Sequence, residues 1–423
     1  MGGRAAESDT VRAMRLARAA AASADAGDTA AYLAKMEEAV ALRPDFPRML
    51  VNLAAAQVAN ERPDDALATL GRLAALGLSS PVEKAEEFAA LRPRKDFQAL
   101  VKKLAANLHP QGAGEIAFSL RGVTGLIEGI AWRGKTGQFF FGDVNGRAVW
   151  VREGKEGVLR RFTPEGDELL GVFGLAVDEE AGVLWAATSA VPAMRGFAPD
   201  QDGTAALAEI DLGSGAVRRT IPIVRVAGDR ESHVLGDLAV AADGAVFLTD
   251  SGGPTLWRLA PGGVALERFM ESGEFLSLQG IVLVSADVAV VSDHANGLLR
   301  VDLAGRGVRR LEAPPDTSLV GLDGLALAPD GKIFAVQNGL RPNRIVRLEL
   351  EGIAEAVTSV TVLESGHITM AAPSLGCFAG DGDFLFIGNA GWTRFEDTGG
   401  EPSAPRSVPV FRVPSAPKKK PAR

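Results

Sequence analysis

Six segments of similar sequence, each built from short apolar runs separated by turns, follow one another after residue 110. A period of about 40–50 residues with several short strands per unit is typical of a β-propeller, in which each unit folds into one blade. The positions that open the units are Glu128, Phe173, Gly236, Gln279, Asp323 and Leu375. Each is followed, 14 or 15 residues later, by a closing position: Asp143, Thr188, Asp250, Asp293, Asn338 and Asn389. The sequence therefore predicts a six-bladed propeller.

Residues 1–110 form a different kind of sequence. They contain five of the 49 glycines and none of the five tryptophans. Apolar residues recur there at helical spacing, and prolines separate the helical runs. The segments 34–46 and 64–78 occupy equivalent places about 34 residues apart, the period of tetratricopeptide helix pairs. The pattern predicts helical hairpins that resemble a degenerate tetratricopeptide array, serving either to bind a protein partner or to cap the next domain.

These two patterns together predict an α + β multidomain chain. We expect a tetratricopeptide-like helical domain at residues 1–110 and an all-β six-bladed propeller at residues 111–414. Residues 415–423 carry Lys418, Lys419 and Lys420 and are expected to form a disordered basic tail. The strand predicted at 115–120 or the one at 408–413 would close the propeller ring.

Charge and cysteine content exclude several classes of function. Residues 111–405 carry 24 basic and 39 acidic side chains, a net charge of −15 that would repel nucleic acid. The single cysteine, Cys377, allows no disulfide within the chain and no thiolate metal cluster, so metal ligands must be oxygen or imidazole. No apolar run is long enough to span a membrane. Without the apolar core of a secretory signal, the chain is expected in the cytoplasm, or in the periplasm or outside the cell if a signal is missing.

Three units open with motifs that resemble a known family. The first reads EGIAW from Glu128, the fourth reads QGI from Gln279, and the fifth reads DGLALAPDG from Asp323. In this order they resemble the SMP-30/gluconolactonase family of six-bladed propellers, over about residues 115–400. The resemblance implies that the opening residues of certain blades face an axial channel and hold one divalent cation, usually calcium. It also implies hydrolysis of sugar lactones or related esters.

Carried over by position, the resemblance assigns Glu128, Gln279 and Asp323 as metal ligands. It further assigns Asp323 or Asp237 as the group that assists proton transfer. Two channel positions depart from the family: Gln279 replaces an asparagine with a longer amide, and Gly236 replaces another asparagine with no side chain. Two carboxylates and one amide, completed by water, still provide the oxygen ligands that calcium prefers. A bound cation would polarise a carbonyl and acidify a water, and a nearby carboxylate would accept the proton.

The expected function is therefore a divalent-metal-dependent hydrolase of lactones or small esters, with a helical extension for protein binding. Two alternatives stay open, because the substituted channel also suits a non-catalytic scaffold or a ligand-binding protein. His294 and His233 are candidate bases if their loops reach the channel, and His367 lies before the last blade. Cys377 lies in an apolar strand and is expected to be a core residue.

Overall fold

The computed structural model of the chain describes residues 7–153, 157–166, 168–224, 232–380, 382–395 and 400–415. Almost all of the tail predicted to be disordered, residues 416–423, lies outside the described residues. Helices occupy the N-terminal quarter and strands occupy the rest, which confirms the predicted fold class. Among the described residues, no helix is long and apolar enough to cross a lipid bilayer.

The helical segment, residues 9–106, packs its helices around one apolar core. Its members are α1 (Asp9–Asp25), α2 (Thr29–Leu42), α3 (Pro47–Ala59), α4 (Pro63–Ala75) and α5 (Lys95–Ala106), with a 3-10 turn at Glu86–Leu91. The Asp28 side chain caps α2 by accepting a hydrogen bond from Ala31 N. Helices α3 and α4 each begin with proline, which suits a first helical turn because it lacks the N–H that would be unpaired there. The tetratricopeptide likeness of this segment stays a prediction.

The remaining strands form six antiparallel sheets arranged as the blades of a propeller. In chain order they are β1 (Gln111–Gly112), β2 (Glu115–Val123), β3 (Ile127–Arg133), β4 (Gln138–Asp143), β5 (Ala148–Glu153), β6 (Arg160–Arg161), β7 (Gly171–Asp178), β8 (Val183–Ser189), β9 (Ala205–Asp211), β10 (Val217–Pro222), β11 (Leu235–Val240), β12 (Val246–Asp250), β13 (Thr255–Leu259), β14 (Leu266–Glu271), β15 (Leu278–Leu283), β16 (Val288–Asp293), β17 (Gly297–Asp302), β18 (Val308–Leu311), β19 (Leu322–Leu327), β20 (Ile333–Gln337), β21 (Arg344–Glu351), β22 (Ala356–Ser365), β23 (Gly376–Ala379), β24 (Asp383–Ile387) and β25 (Arg406–Val413). The prediction of six blades is confirmed.

The four strands of each of the first five blades run outward from the axis in chain order. Blades one to five are β3-β4-β5-β6, β7-β8-β9-β10, β11-β12-β13-β14, β15-β16-β17-β18 and β19-β20-β21-β22, with β1 added outside β22. Blade six is β23-β24-β25-β2. Its outermost strand therefore comes from the beginning of the propeller and pairs with the last strand, as in Leu120 opposite Val408. Both strands that were candidates for closing the ring take part in this pairing. The ring closes because β2, which leads along the chain into β3 of blade one, is hydrogen-bonded to β25 within blade six.

The innermost strands approach one another so closely that most units need glycine directly after the opening residue. A Cβ atom on Gly129 would lie 2.0 Å from the carbonyl oxygen of Phe173 in the next blade, and one on Gly280 would lie 2.5 Å from Leu325 N. Neither separation is sterically possible. Five of the six units carry glycine at this position, whereas the third carries Asp237.

Candidate active site at the axial channel

Local irregularities of the innermost strands aim the opening side chains toward the axis. The pairing register of β3, β7, β11, β15 and β19 with the next strand shifts at or directly beside the opening position. A β-bulge of this kind inserts an unpaired residue and re-aims its side chain. Hydroxyl groups hold two of these bulges: Ser292 Oγ accepts a hydrogen bond from Gly280 N at 2.8 Å, and Thr249 Oγ1 accepts one from Asp237 N at 3.2 Å.

All six opening residues line one cavity of about 260 Å³ on the axis. The structure therefore brings together Glu128, Gln279 and Asp323, the residues assigned as metal ligands from the sequence. Asp237, assigned to proton transfer with Asp323, lines the same cavity. The other lining residues are Val234, Ser251, His294, Asn338 and Trp392. A second cavity of about 190 Å³ shares Glu128, Asp323, Asn338 and Trp392 with the first and extends toward Asn343 and Ser374.

Glu128 is held by groups from the last blade. Its Oε2 accepts a hydrogen bond from Trp392 Nε1 at 2.8 Å, and its backbone carbonyl accepts one from Ser374 Oγ at 2.9 Å. The indole of Trp392 also faces the ring of Phe173, with ring centroids 6.1 Å apart. Trp392 lies in a short 3-10 turn outside the strand repeat, so the six-unit pattern gives no indication of its role.

Asp323 belongs to a chain of three polar side chains that crosses two blades. Asn338 Nδ2 donates a hydrogen bond to Asp323 Oδ2, and a second one to the carbonyl of Pro373 at 3.0 Å. The other end of the amide, Asn338 Oδ1, lies 3.3 Å from His294 Nε2. In this arrangement the imidazole of His294 donates a hydrogen bond from Nε2 to the amide oxygen of Asn338. This hydrogen bond orients the amide so that its nitrogen donates to the carboxylate of Asp323.

The strand register changes one equivalence drawn from the sequence. The repeat alignment treats Asn338 as the counterpart of Asp293, but in the structure Gln337 occupies the place of Asp293 at the end of the second strand. Asn338 corresponds to His294, one residue further along the chain. Side chains at this next position enter the cavity from three blades: Ser251, His294 and Asn338. The residue directly after each closing position therefore identifies two polar lining residues, Ser251 and His294, that the closing positions themselves do not.

Burial without a counter-charge changes the acidity of the channel carboxylates, which are Glu128, Asp237 and Asp323. Each is less than a tenth exposed. Burial, reinforced by the negative charge of Asp323, raises the pKa of Glu128 to about 8 against the lowering effect of the Trp392 hydrogen bond. Burial raises the pKa of Asp237 to about 7. It also raises the pKa of Asp323, although the Asn338 hydrogen bond and the charge of His294 oppose the shift. Carboxylates in such a site favour either a proton or a cation.

The turn aspartates, which are Asp143, Asp250 and Asp293, are buried in a different way. Asp143 accepts hydrogen bonds from Leu126 N, Gly146 N and Trp150 Nε1 at 2.8–3.0 Å. Asp293 accepts four backbone hydrogen bonds. None of the three lines the axial cavity. Their role is to satisfy backbone donors in the turns between strands.

Only one of the four histidines lines the axial cavity. His294 does so, whereas His233 is fully buried beside the cavity wall, where its Nδ1 lies 2.7 Å from Asp250 Oδ2 and its ring meets Trp257 edge to face. His367 bonds to Thr369 on the outside of the propeller, and His109 is exposed. Cys377 lines a cavity at the other end of the channel that Asp237 also lines, and burial raises the pKa of the thiol to about 12 and keeps it protonated.

The donor set fits a hard cation. Three carboxylates and the amides of Gln279 and Asn338 face the cavity, and no described lysine or arginine lines it to balance their charge. Among the described residues, no three His, Cys, Asp or Glu side chains converge as a ready-made metal cluster. Two carboxylates, amide oxygens and water would therefore have to complete the shell, which is the combination that calcium accepts.

Known structures with similar folds are distant in sequence. A gluconolactonase from Xanthomonas campestris is 16% identical, with 70% of this chain and 88% of that chain covered and a TM-score of 0.48. The calcium-binding protein regucalcin from Agrobacterium tumefaciens is 13% identical over 72% and 95% of the two chains, with a TM-score of 0.48. A PQQ-bound aldose sugar dehydrogenase from Streptomyces coelicolor is 13% identical over 72% and 98%, with a TM-score of 0.47. No protein-family model matches the chain. No curated protein matches it.

Proposed function

We propose that the protein is a divalent-cation-dependent hydrolase that opens lactones or small esters in the axial cavity. One observation carries this proposal. Three buried carboxylates line the same cavity, and among the described residues no lysine or arginine lines it to balance their charge. A structural role does not account for them, because the turn aspartates already accept the hydrogen bonds of the backbone donors in the turns. Buried carboxylates with strongly shifted pKa values in a cavity are characteristic of functional sites.

Glu128, Gln279 and Asp323 would hold the cation, with calcium as the first candidate. When bound, the cation supplies Lewis-acid polarisation of the substrate carbonyl and lowers the pKa of a coordinated water. Trp392 keeps one oxygen of Glu128 occupied, and Asn338 keeps one oxygen of Asp323 occupied. These hydrogen bonds fix each carboxylate in one orientation and leave its second oxygen for the cavity.

Two carboxylates are placed to accept the proton of the attacking water. Asp237, with a pKa near neutrality, meets the requirement that a general base be close to the working pH. Asp323 is the second candidate, because the Asn338 amide orients it from the adjacent loop. His294 donates a hydrogen bond to the Asn338 amide and thereby restrains the position of this side chain in the cavity wall.

The remaining walls of the cavity select the substrate. Phe173, Val234 and Leu375 add apolar surface between the oxygen donors around the cavity, and the Trp392 indole lines both this cavity and the second one. The two adjoining cavities of about 260 and 190 Å³ suit a small ester or lactone with a hydrocarbon portion. Sugar lactones belong to the proposed substrate class because they contain a cyclic ester.

Turnover assays of metal-free protein test the proposal. We expect hydrolysis of a panel of γ- and δ-lactones and aryl esters only after addition of Ca²⁺, Mg²⁺, Mn²⁺ or Zn²⁺, and loss of it in Asp323→Asn. The matched control is Asp330→Asn, an exposed aspartate in the same blade that pairs with Lys332. Absence of cation-dependent turnover in the wild type overturns the proposal and leaves the non-catalytic scaffold or ligand-binding role.

A further inference from the structure

The helical segment makes its polar contacts with the propeller at the loops that build the candidate active site. Loop A, residues 294–297, follows β16 and carries His294. Loop B, residues 338–344, follows β20 and carries Asn338. Their side chains meet in the cavity wall, as described above. Both loops are also in contact with the helical segment.

Loop A is held by a fully buried polar cluster. Thr10 Oγ1, from α1, donates a hydrogen bond to Asn296 Oδ1 at 2.6 Å. Arg43 Nη1, from the end of α2, contacts the same oxygen at 3.4 Å and also bonds to Thr10 Oγ1. Thr10, Arg43 and Asn296 are each at most 1% exposed. The remaining guanidinium nitrogens of Arg43 bond to Asp45 at 2.9 and 3.1 Å, so the buried charge is paired.

Burying an arginine at a surface between two parts of a chain is costly unless each of its donors finds an acceptor. Here the acceptors come from both parts, and the Asn296 amide also donates to the carbonyl and to the carboxylate of Glu274 at 2.9 Å. The turn is therefore fixed on both sides. Because Asn296 is two residues from His294, this arrangement sets the place of the imidazole.

Loop B is held by a second group of contacts. Ser79 N donates to the carbonyl of Arg341 at 2.8 Å, and Arg344 Nη1 donates to the carbonyl of Leu76 at 3.0 Å. Arg344 also donates twice to Gln337 Oε1, at 2.7 and 3.0 Å, directly before Asn338. Leu340 packs against the apolar core of the helical segment.

We propose that the helical segment is a constituent of the candidate active site, because it holds in place the two loops that supply His294 and Asn338. Thr10 and Arg43 are positioning residues that act through Asn296. This inference rests on the proposed function, since it concerns the same cavity. It differs from the role of an independent protein-binding extension, because removal of the contacts changes the cavity without any partner present.

The test uses the full-length protein and two variants, Thr10→Val and Arg43→Met, which remove the polar contacts while keeping similar volume. Thr10→Ser keeps the hydroxyl and is the conservative rescue. The control is Arg62→Met, since Arg62 pairs on the surface with Glu37 and Asp65 and does not touch the propeller. Circular dichroism and thermal melting establish that each variant is folded at the assay temperature.

Two measurements then separate positioning from a general loss of stability. Hydrogen exchange followed by mass spectrometry should show faster deuterium uptake in loop A of Thr10→Val and Arg43→Met, because both residues contact Asn296 of this loop, with wild-type uptake in Thr10→Ser and Arg62→Met. Titration with calcium alone should show affinity about tenfold weaker in the first two variants, at the lower end of the effect expected for residues that support metal ligands.

The outcomes distinguish this inference from the proposed function. Wild-type uptake in loop A of Thr10→Val and Arg43→Met overturns the positioning role, whatever the wild type binds. If the wild type binds no calcium, the cation-dependent function fails, and the exchange data alone decide whether the helical segment holds the loops. If Arg43→Met does not fold, Thr10→Val decides in its place, because it removes one hydroxyl and leaves every charge paired.

Discussion

The channel carboxylates and the turn aspartates are both buried, but their surroundings differ. Asp143 in a turn accepts three hydrogen bonds from donors close to it in the sequence. Glu128 and Asp323 in the channel each accept one hydrogen bond from a side chain, with Trp392 and Asn338 as donors. A buried carboxylate surrounded by donors contributes to the fold, whereas one left with few donors holds charge that a ligand can use. Burial alone therefore does not identify a functional acid in this propeller.

The largest expected effect comes from neutralising the channel carboxylates. Glu128→Gln and Asp323→Asn should each lower cation-dependent turnover by about 100-fold or more, the scale of a lost acid–base group or ligand. Steady-state kinetics with saturating calcium checks this. In the control Glu153→Gln, which alters an exposed glutamate of blade one, turnover should stay at the wild-type level. Equal activity in all four proteins would show that the channel carboxylates have no functional role.

A turn aspartate should show the opposite behaviour. Asp143→Ala leaves two backbone N–H groups and the Trp150 indole without their acceptor, and should lower the free energy of unfolding by about 3 kcal/mol. Urea denaturation followed by circular dichroism measures the loss. Calcium affinity of the folded protein should remain that of the wild type, because Asp143 does not line the cavity. A large loss of calcium affinity with little loss of stability would contradict the distinction between the turn aspartates and the channel carboxylates.

The pH dependence of stability should report the burial of the channel carboxylates. In the folded protein the pKa values of Glu128 and Asp237 are about 8 and about 7, above their ordinary values of 4.5 and 3.8. Between about pH 4 and pH 8 the folded state thus binds more protons than the unfolded state, and the stability of the metal-free protein falls as pH rises. Chemical denaturation across this range should show the fall, and Glu128→Gln should reduce it. Added calcium should restore stability most strongly near pH 8.

The smallest effect is expected at the far end of the channel. Cys377 lines the cavity there, and its raised pKa keeps the thiol unreactive at neutral pH. Cys377→Ala should leave cation-dependent turnover within about twofold of the wild type, in keeping with a substitution outside the reacting groups. Treatment with iodoacetamide should likewise leave the native protein active. Inactivation by either change would place part of the chemistry at this end.

The repeat in the sequence predicted the propeller, because a fixed period places equivalent residues at equivalent points around an axis. The meeting of Glu128, Gln279 and Asp323 in the channel was implied by the family resemblance. It did not reveal Trp392, which lies in a loop outside the repeated strands. Asn338 was aligned with Asp293, one position too early. The strands β15 and β19 begin with the same register shift, so the closing position of Asp323 lies 14 residues later, at Gln337, and not 15. The burial of Arg43 against Asn296 joins residues 253 positions apart, and no local pattern encodes such a contact.

Calorimetric titration of the metal-free protein with calcium at pH 8, on the wild type and on Asp323→Asn, tests the central claim most directly. The account predicts saturable binding at a single site in the wild type and no measurable binding in Asp323→Asn, while Asp330→Asn binds as the wild type does. Absence of binding in the wild type, or equal binding in Asp323→Asn, would contradict it.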